Sequence, residues 1–321
     1  TNQPASFASM EGDLKSFTVG PAGVDGTMPY FYQWYRGGAP IPGAQNYVYN
    51  FRPRLADNGV DYYLVVSNYF SSATSAVVNV TVSQDVVKPA LAAAGSLNRQ
   101  EVRVRFSEPV DPVSATALAN YSLKSSAGAA VAISAAAMAT NDAAIVFLTT
   151  AALVDYGTYD LSVQGVQDIA DAPNTVDPAT AVFTAYNMDK VERINNTQSW
   201  GAYAEGDRIY IQAGGADIWG GTDQMVFAYK NLTGNFDLKA RGVSLFRADA
   251  WSKAGIMVRE SNAANSRNCA NLITPTDGQN VRTAQIRDTT GAGASVSSND
   301  AGNQLNSNLQ PGMAARPAMD A

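Results

Sequence analysis

The side chains that could do chemistry are few in kind. The sequence has no histidine and a single cysteine, Cys269. Without imidazole there is no Ser-His-Asp or Cys-His relay and no histidine-bound metal. One thiol allows neither an intrachain disulfide nor a thiolate zinc cage, so Cys269 reads as a small buried hydrophobe. What remains is carboxylate chemistry, from 22 Asp and 6 Glu. Glycoside hydrolysis needs two acids about 5–5.5 Å or about 6.5–9.5 Å apart. Glu205, Asp207, Asp217, Asp223 and Glu260 are the candidates. Nine of the 22 Asp residues adjoin Gly, Pro or Asn, where turns account for them. No catalytic residue is therefore expected, and the chain reads as a non-enzyme.

Two binding chemistries stay open. Calcium takes oxygen ligands from acidic loops. Asp168, Asp171, Asn174 and Asp177 crowd one loop, and Asp168, Asp171 and Asp177 are the candidate ligands, although their spacing is not that of an EF-hand. No other cofactor is expected. Sugars stack on aromatic rings beside a few polar groups. Trp219 in the loop Gly214–Gly221, with Asp217 near it, is one such candidate. Trp251 is another, ahead of a strand whose alternate face carries Lys253, Met257 and Arg259. Gly214-Gly215 and Gly291-Ala292-Gly293 lack the strand-loop-helix setting of a phosphate loop.

These residues must be held by strands. Asp outnumbers Glu, and 26 Gly, 14 Pro and 15 Tyr favour turns and short strands over helices. A formal charge of −6 argues against nucleic acid as a partner, and no apolar run is long enough to span a membrane. Thr1 follows no leader, so the sequence reads as a mature or excised segment. At 321 residues it has room for two or three domains.

In residues 1–83, Ser16–Val19, Tyr32–Tyr35, Tyr62–Val66 and Ser75–Val82 read as strands between tight turns. Tyr32-Gln33-Trp34-Tyr35, Pro42-Gly43-Ala44, Asp57-Asn58-Gly59 and Tyr63-Leu64-Val65-Val66-Ser67-Asn68 together resemble a bacterial immunoglobulin-like domain. The resemblance implies that Trp34 is buried on the third strand and that Tyr63 is the corner tyrosine. It puts Val65 in the place of the second cysteine, packed on Phe17 or Val19. Residues 84–186 begin with a linker ending at Pro89. Glu101–Phe106 alternates, with Val102, Val104 and Phe106 inward. Val104–Asp111, Asn120-Tyr121, Tyr159–Val163 and Val166-Gln167-Asp168 resemble the Ig-like modules of surface-layer proteins. The Ala-rich Ala135–Ala144 lacks a cap and a helical stripe, and reads as strand and loop.

Residues 187–321 contain Gly215–Trp219, Trp251–Glu260 and Thr274–Gly278, which resemble a jelly roll of the concanavalin A-like lectin and glucanase superfamily. In the strand at Asp207–Ala213, Ile209 and Ile211 alternate against Arg208, Tyr210 and Gln212. The resemblance fades after Arg287, and the module looks incomplete. The fold expected is all-β: three tandem β-sandwiches, two Ig-like and one jelly-roll-like.

The function these resemblances imply is non-catalytic and structural or adhesive. The chain would be a spacer, stalk or filament subunit of a large secreted or cell-surface bacterial protein. Its partners would be other copies of itself or neighbouring modules. The alternative is an accessory segment that binds polysaccharide for a secreted degrading enzyme. Low Lys and Glu content suits an extracellular location.

Overall fold

The computed structural model describes residues 3–20, 29–275, 282–296 and 317–320. Thr276–Gly278 and most of Gly291–Ala321 lie outside them. The chain divides into two compact units. One comprises Thr1–Ala94, Glu101–Ala151 and Thr158–Phe183; the other comprises Gly95–Gln100, Ala152–Gly157 and Thr184–Ala321. The fold is all-β. No helix among the described residues is long and apolar enough to cross a membrane.

The first region supplies β1 (Phe7–Met10), β2 (Lys15–Thr18), β3 (Phe31–Arg36), β4 (Ala39–Pro40), β5 (Val48–Phe51), β6 (Asp61–Ser67), β7 (Ser72–Thr74) and β8 (Val78–Ser83). One sheet runs β1-β8-β6-β3-β4, with β7 on β6, and a smaller sheet pairs β2 with β5. β1 lies parallel to β8, from Phe7 opposite Val80 to Met10 opposite Ser83. The two sheets share one apolar core of Phe17, Trp34, Tyr62, Leu64 and the inward valines Val78, Val80 and Val82. Trp34 is 0% exposed. It stacks on Phe17 at 5.8 Å, and its indole N–H donates to the Asn46 carbonyl at 2.9 Å. A buried ring therefore leaves no donor unpaired.

The phase of β6 differs from the expectation by one residue. Tyr62 and Leu64 point into the core, while Tyr63 and Val65 face the other side, half-buried. Tyr62, not Tyr63, makes the corner bond: its hydroxyl donates to Asp57 at 2.9 Å. Tyr63 stacks on Tyr35 at 5.0 Å instead. The run Tyr62-Tyr63-Leu64-Val65-Val66 has no polar residue to mark its outer face, and a one-residue slip exchanges the faces. Buried Asp57, which also receives Arg36 at 2.6 Å, fixes the phase.

The second region supplies β9 (Leu91–Asn98), β10 (Glu101–Phe106), β11 (Tyr121–Ser125), β12 (Ala130–Val131), β13 (Ile133–Met138), β14 (Ile145–Thr150), β15 (Thr158–Val163) and β16 (Ala179–Thr184). They form two four-stranded sheets, β13-β14-β10-β9 and β12-β11-β15-β16. Val102, Val104 and Phe106 are buried, as their alternation predicts. The Ala-rich stretch holds β13 and the loop after it. A short helix, α1 (Pro112–Ala115), starts at Asp111, whose side chain accepts from the Ser114 N–H. Pro112 occupies the first turn, where its missing N–H costs nothing.

The third region supplies β17 (Lys190–Ile194), β18 (Gly201–Glu205), β19 (Arg208–Gln212), β20 (Met225–Tyr229), β21 (Leu238–Arg241), β22 (Ala254–Arg259), β23 (Asn268–Ile273), β24 (Arg282–Arg287), β25 (Ser295–Val296) and β26 (Pro317–Asp320). Among the described residues these make three two-stranded pairs, β17-β20, β18-β19 and β21-β26, and one four-stranded sheet, β22-β23-β24-β25. Its small core joins Ile194, Met225, Met257, Ala270 and Leu272. The alternation in β19 does not mark burial, since Ile211 is 49% exposed.

Candidate functional site

β22, β23 and β24 lie side by side, with Arg259 opposite Asn268 and Asn268 opposite Arg287. All three side chains converge on Asp223, which is 0% exposed. Asp223 Oδ2 accepts from Arg259 Nη1 at 3.0 Å, Arg287 Nη1 at 3.0 Å and Asn268 Nδ2 at 3.3 Å. Oδ1 accepts from Arg287 Nη2 at 2.6 Å. The burial that lowers the affinity of Arg259 for its proton is opposed by the Asp223 charge. Arg287 also donates to the carbonyls of Gly220 and Ala292, and Arg259 to those of Ser261 and Ala263. With its oxygens engaged by four donors, Asp223 acts as a fastener for three loops rather than as an acid or base.

The fastened loop presents Trp219. Gly221 sits where a Cβ would come within 2.6 Å of the Gly291 carbonyl, so only glycine fits. The Trp219 carbonyl accepts from the Ala294 N–H at 2.7 Å. The ring is 43% exposed. Lys253 Nζ lies 5.7 Å from its centroid and pairs with Asp217. Asp217 and Trp219 are thus brought together through Lys253: an exposed indole face beside an ammonium and a carboxylate. Arg259 is not part of that surface. Met257 and Arg259 on β22 point inward, where Arg259 meets the buried Asp223, whereas Lys253, just ahead of the strand, pairs with the exposed Asp217. Trp251 is 60% exposed; its backbone N–H donates to the Asp249 carboxylate at 2.8 Å.

A second cluster lies in the other unit. Asp85, Glu108 and Asp168 each place a carboxylate oxygen within 4.8 Å of the others. Burial first, then the charges of Asp85 and Asp168, pushes the Glu108 carboxyl up to about 7. Asp168 accepts from the Ala170 and Asn174 N–H groups at 3.0 Å and from Asn174 Nδ2 at 2.7 Å. Asp85 accepts from the Val87 N–H at 2.9 Å. A calcium ion would need six to eight oxygens, whereas one proton on Glu108 neutralises part of the cluster with no further ligand. The three loop acids expected to act together do not. Asp171 faces Arg54 at 3.3 Å, and Asp177 pairs with Lys88 at 2.6 Å on the surface. The loop turns so that Asp168 caps its interior and the other two face outward.

Sequence reasoning missed Asp85, Glu108 and Arg287. Glu108 had a signal, an acid wedged in Ser107-Glu108-Pro109, but its partners are distant in sequence. Arg287 had none, since its role requires the β22-β23-β24 register.

The comparisons with known proteins bear on the second region. Residues 71–185 match a bacterial Ig-like domain. The matched Ig-like domain begins ahead of residue 84, within the last strands of the first region, and runs through β16. A search of the curated proteins gives no match. Among solved structures, the N-terminal part of the bacterial S-layer protein SbsC is 15% identical, over 61% of this chain and 42% of that one, with a TM-score of 0.30. A structure of surface layer protein SbsC, domains 1–6, is 12% identical over 65% of this chain and 34% of that one, with a TM-score of 0.31. The chain spans less than half the length of either.

Proposed function

We propose that the chain is a non-catalytic spacer or stalk segment of a large secreted or cell-surface bacterial protein. In this reading it comprises Ig-like sandwiches at 1–83 and 84–186 and an incomplete jelly-roll-type sandwich at 187–321. Its partners are neighbouring modules or further copies of itself. The observation that carries the reading is the Ig-like match, in a region several of whose acids serve the backbone. Asp111 caps Ser114, Asp142 caps Ala144, and Asp168 caps Ala170 and Asn174. Such carboxylates hold turns.

One observation favours polysaccharide binding as a second reading: the exposed Trp219 ring with Lys253 and Asp217 beside it. A glycan array and a polysaccharide turnover assay on the purified chain test both. Blank results in both support the spacer. Micromolar sugar binding lost in Trp219→Ala replaces it with the second reading. Turnover lost in Asp217→Asn overturns the non-catalytic assignment.

A further inference from the structure

Sandwiches joined by a short linker move relative to one another unless something holds them, because interfaces between domains of one chain are usually small and polar. The junction after β8 contradicts that default. Glu11, in the turn after β1, is 1% exposed although it is an acid. Its two oxygens are spent on two distant segments. Oε1 accepts from the N–H of Asp85 in the linker at 3.0 Å, and Oε2 accepts from the N–H of Asp171 in the second region at 2.9 Å. A carboxylate is kept out of water only when hydrogen bonds compensate it, and both of these come from beyond its own region.

A clasp lies alongside. The Asp171 carboxylate accepts from the Leu55 N–H at 2.9 Å and from Arg54 Nη1 at 3.3 Å, and Arg54 also donates to the Ile169 carbonyl. The linker is held from the far side as well, where Asn174 Nδ2 donates to the Asp85 carbonyl at 3.2 Å. A Cβ at Gly12 would stand only 3.4 Å from Ile169, and the φ of +80° there already favours glycine. The backbone of the first region therefore rests closely on the loop of the second.

We propose that Glu11, with the Arg54–Asp171 clasp, fastens the first and second regions into one rigid element. The linker is then part of a joint rather than a flexible tether. This deepens the spacer reading, yet its test reads only the joint, so sugar binding by the third region would leave it untouched.

The test is an electron–electron distance measurement on the full chain, with spin labels at Ser72→Cys and Ser126→Cys, both exposed. Cys269 is buried and its thiol is pushed up to about 11 by that burial, so it stays unlabelled near neutral pH. The expected result is a single narrow distance distribution that widens about two-fold or more in Glu11→Ala and in Asp171→Ala, as free domain motion returns. A broad distribution in the parent chain overturns the proposal, as does an unchanged width in Asp171→Ala. Near-UV dichroism of Trp34 checks folding. If Glu11→Ala fails to fold, the exposed Asp171→Ala decides alone.

Discussion

The cores of the first and third regions are built on opposite principles. Around Trp34, aromatic and branched side chains from two sheets meet, and the Arg36–Asp57 ion pair touches them through the Tyr62 hydroxyl. Around Asp223, one carboxylate holds two guanidiniums and an amide, and the apolar cluster beside it is small. Apolar burial is roughly proportional to area and indifferent to direction. A buried charge cluster is worth having only when every partner is in place, and removing one member strands the rest. The first region should therefore weaken by degrees under substitution, whereas the third should fail abruptly.

Asp223→Ala is expected to have the largest effect. It leaves Arg259 and Arg287 buried without their counter-charge, a loss of about 5 kcal/mol, read as selective unfolding of the third region in hydrogen exchange. Trp34→Ala should cost about 4 kcal/mol through lost contact and the cavity left behind, read in denaturant melts of the first region. Equal losses with equal cooperativity in the two regions would erase that contrast between the cores.

The register of β6 sharpens it further. Tyr62→Phe removes the hydroxyl bonded to Asp57 and should cost about 1 kcal/mol, whereas Tyr63→Phe should be near neutral. The reverse order would restore the phase read from the sequence. That contrast also shows what the sequence could reveal. Alternation in Val78–Val82 and Glu101–Phe106 exposed the inward faces directly, because polar residues marked the outward ones. The unbroken apolar run in β6 hid its phase. In the third region Asp217 and Trp219 were legible as neighbours in one loop. The inward aim of Arg259 was not, because it depends on the distant Asp223 and Arg287.

The smallest effect lies in the acidic cluster. Glu108 titrates at about 7 when folded against 4.5 for an ordinary glutamate, chiefly through burial and then through Asp85 and Asp168. The folded state holds its proton more tightly than the unfolded chain. The stabilisation is therefore complete below about 4.5 and is lost as pH rises through about 7. Melting temperature of this unit should fall across that window, modestly because Glu108 is only half-buried. Glu108→Gln should flatten the change. A parent chain whose melting temperature rises over the same window would contradict the assignment.

The parallel pairing of β1 with β8 has a mechanical consequence. The chain enters the first region at the start of β1 and leaves it at the end of β8, and the two strands lie side by side in the same direction. Tension on the two ends drags them past each other along their length. The ladder from Phe7–Val80 to Met10–Ser83 is then loaded in shear, all rungs together, instead of being unzipped one rung at a time. Forced unfolding is governed by the height of its barrier rather than by equilibrium stability. A region held this way resists pulling beyond what its melting temperature would suggest, and a single proline in β1 would remove that resistance while leaving the Trp34 core in place.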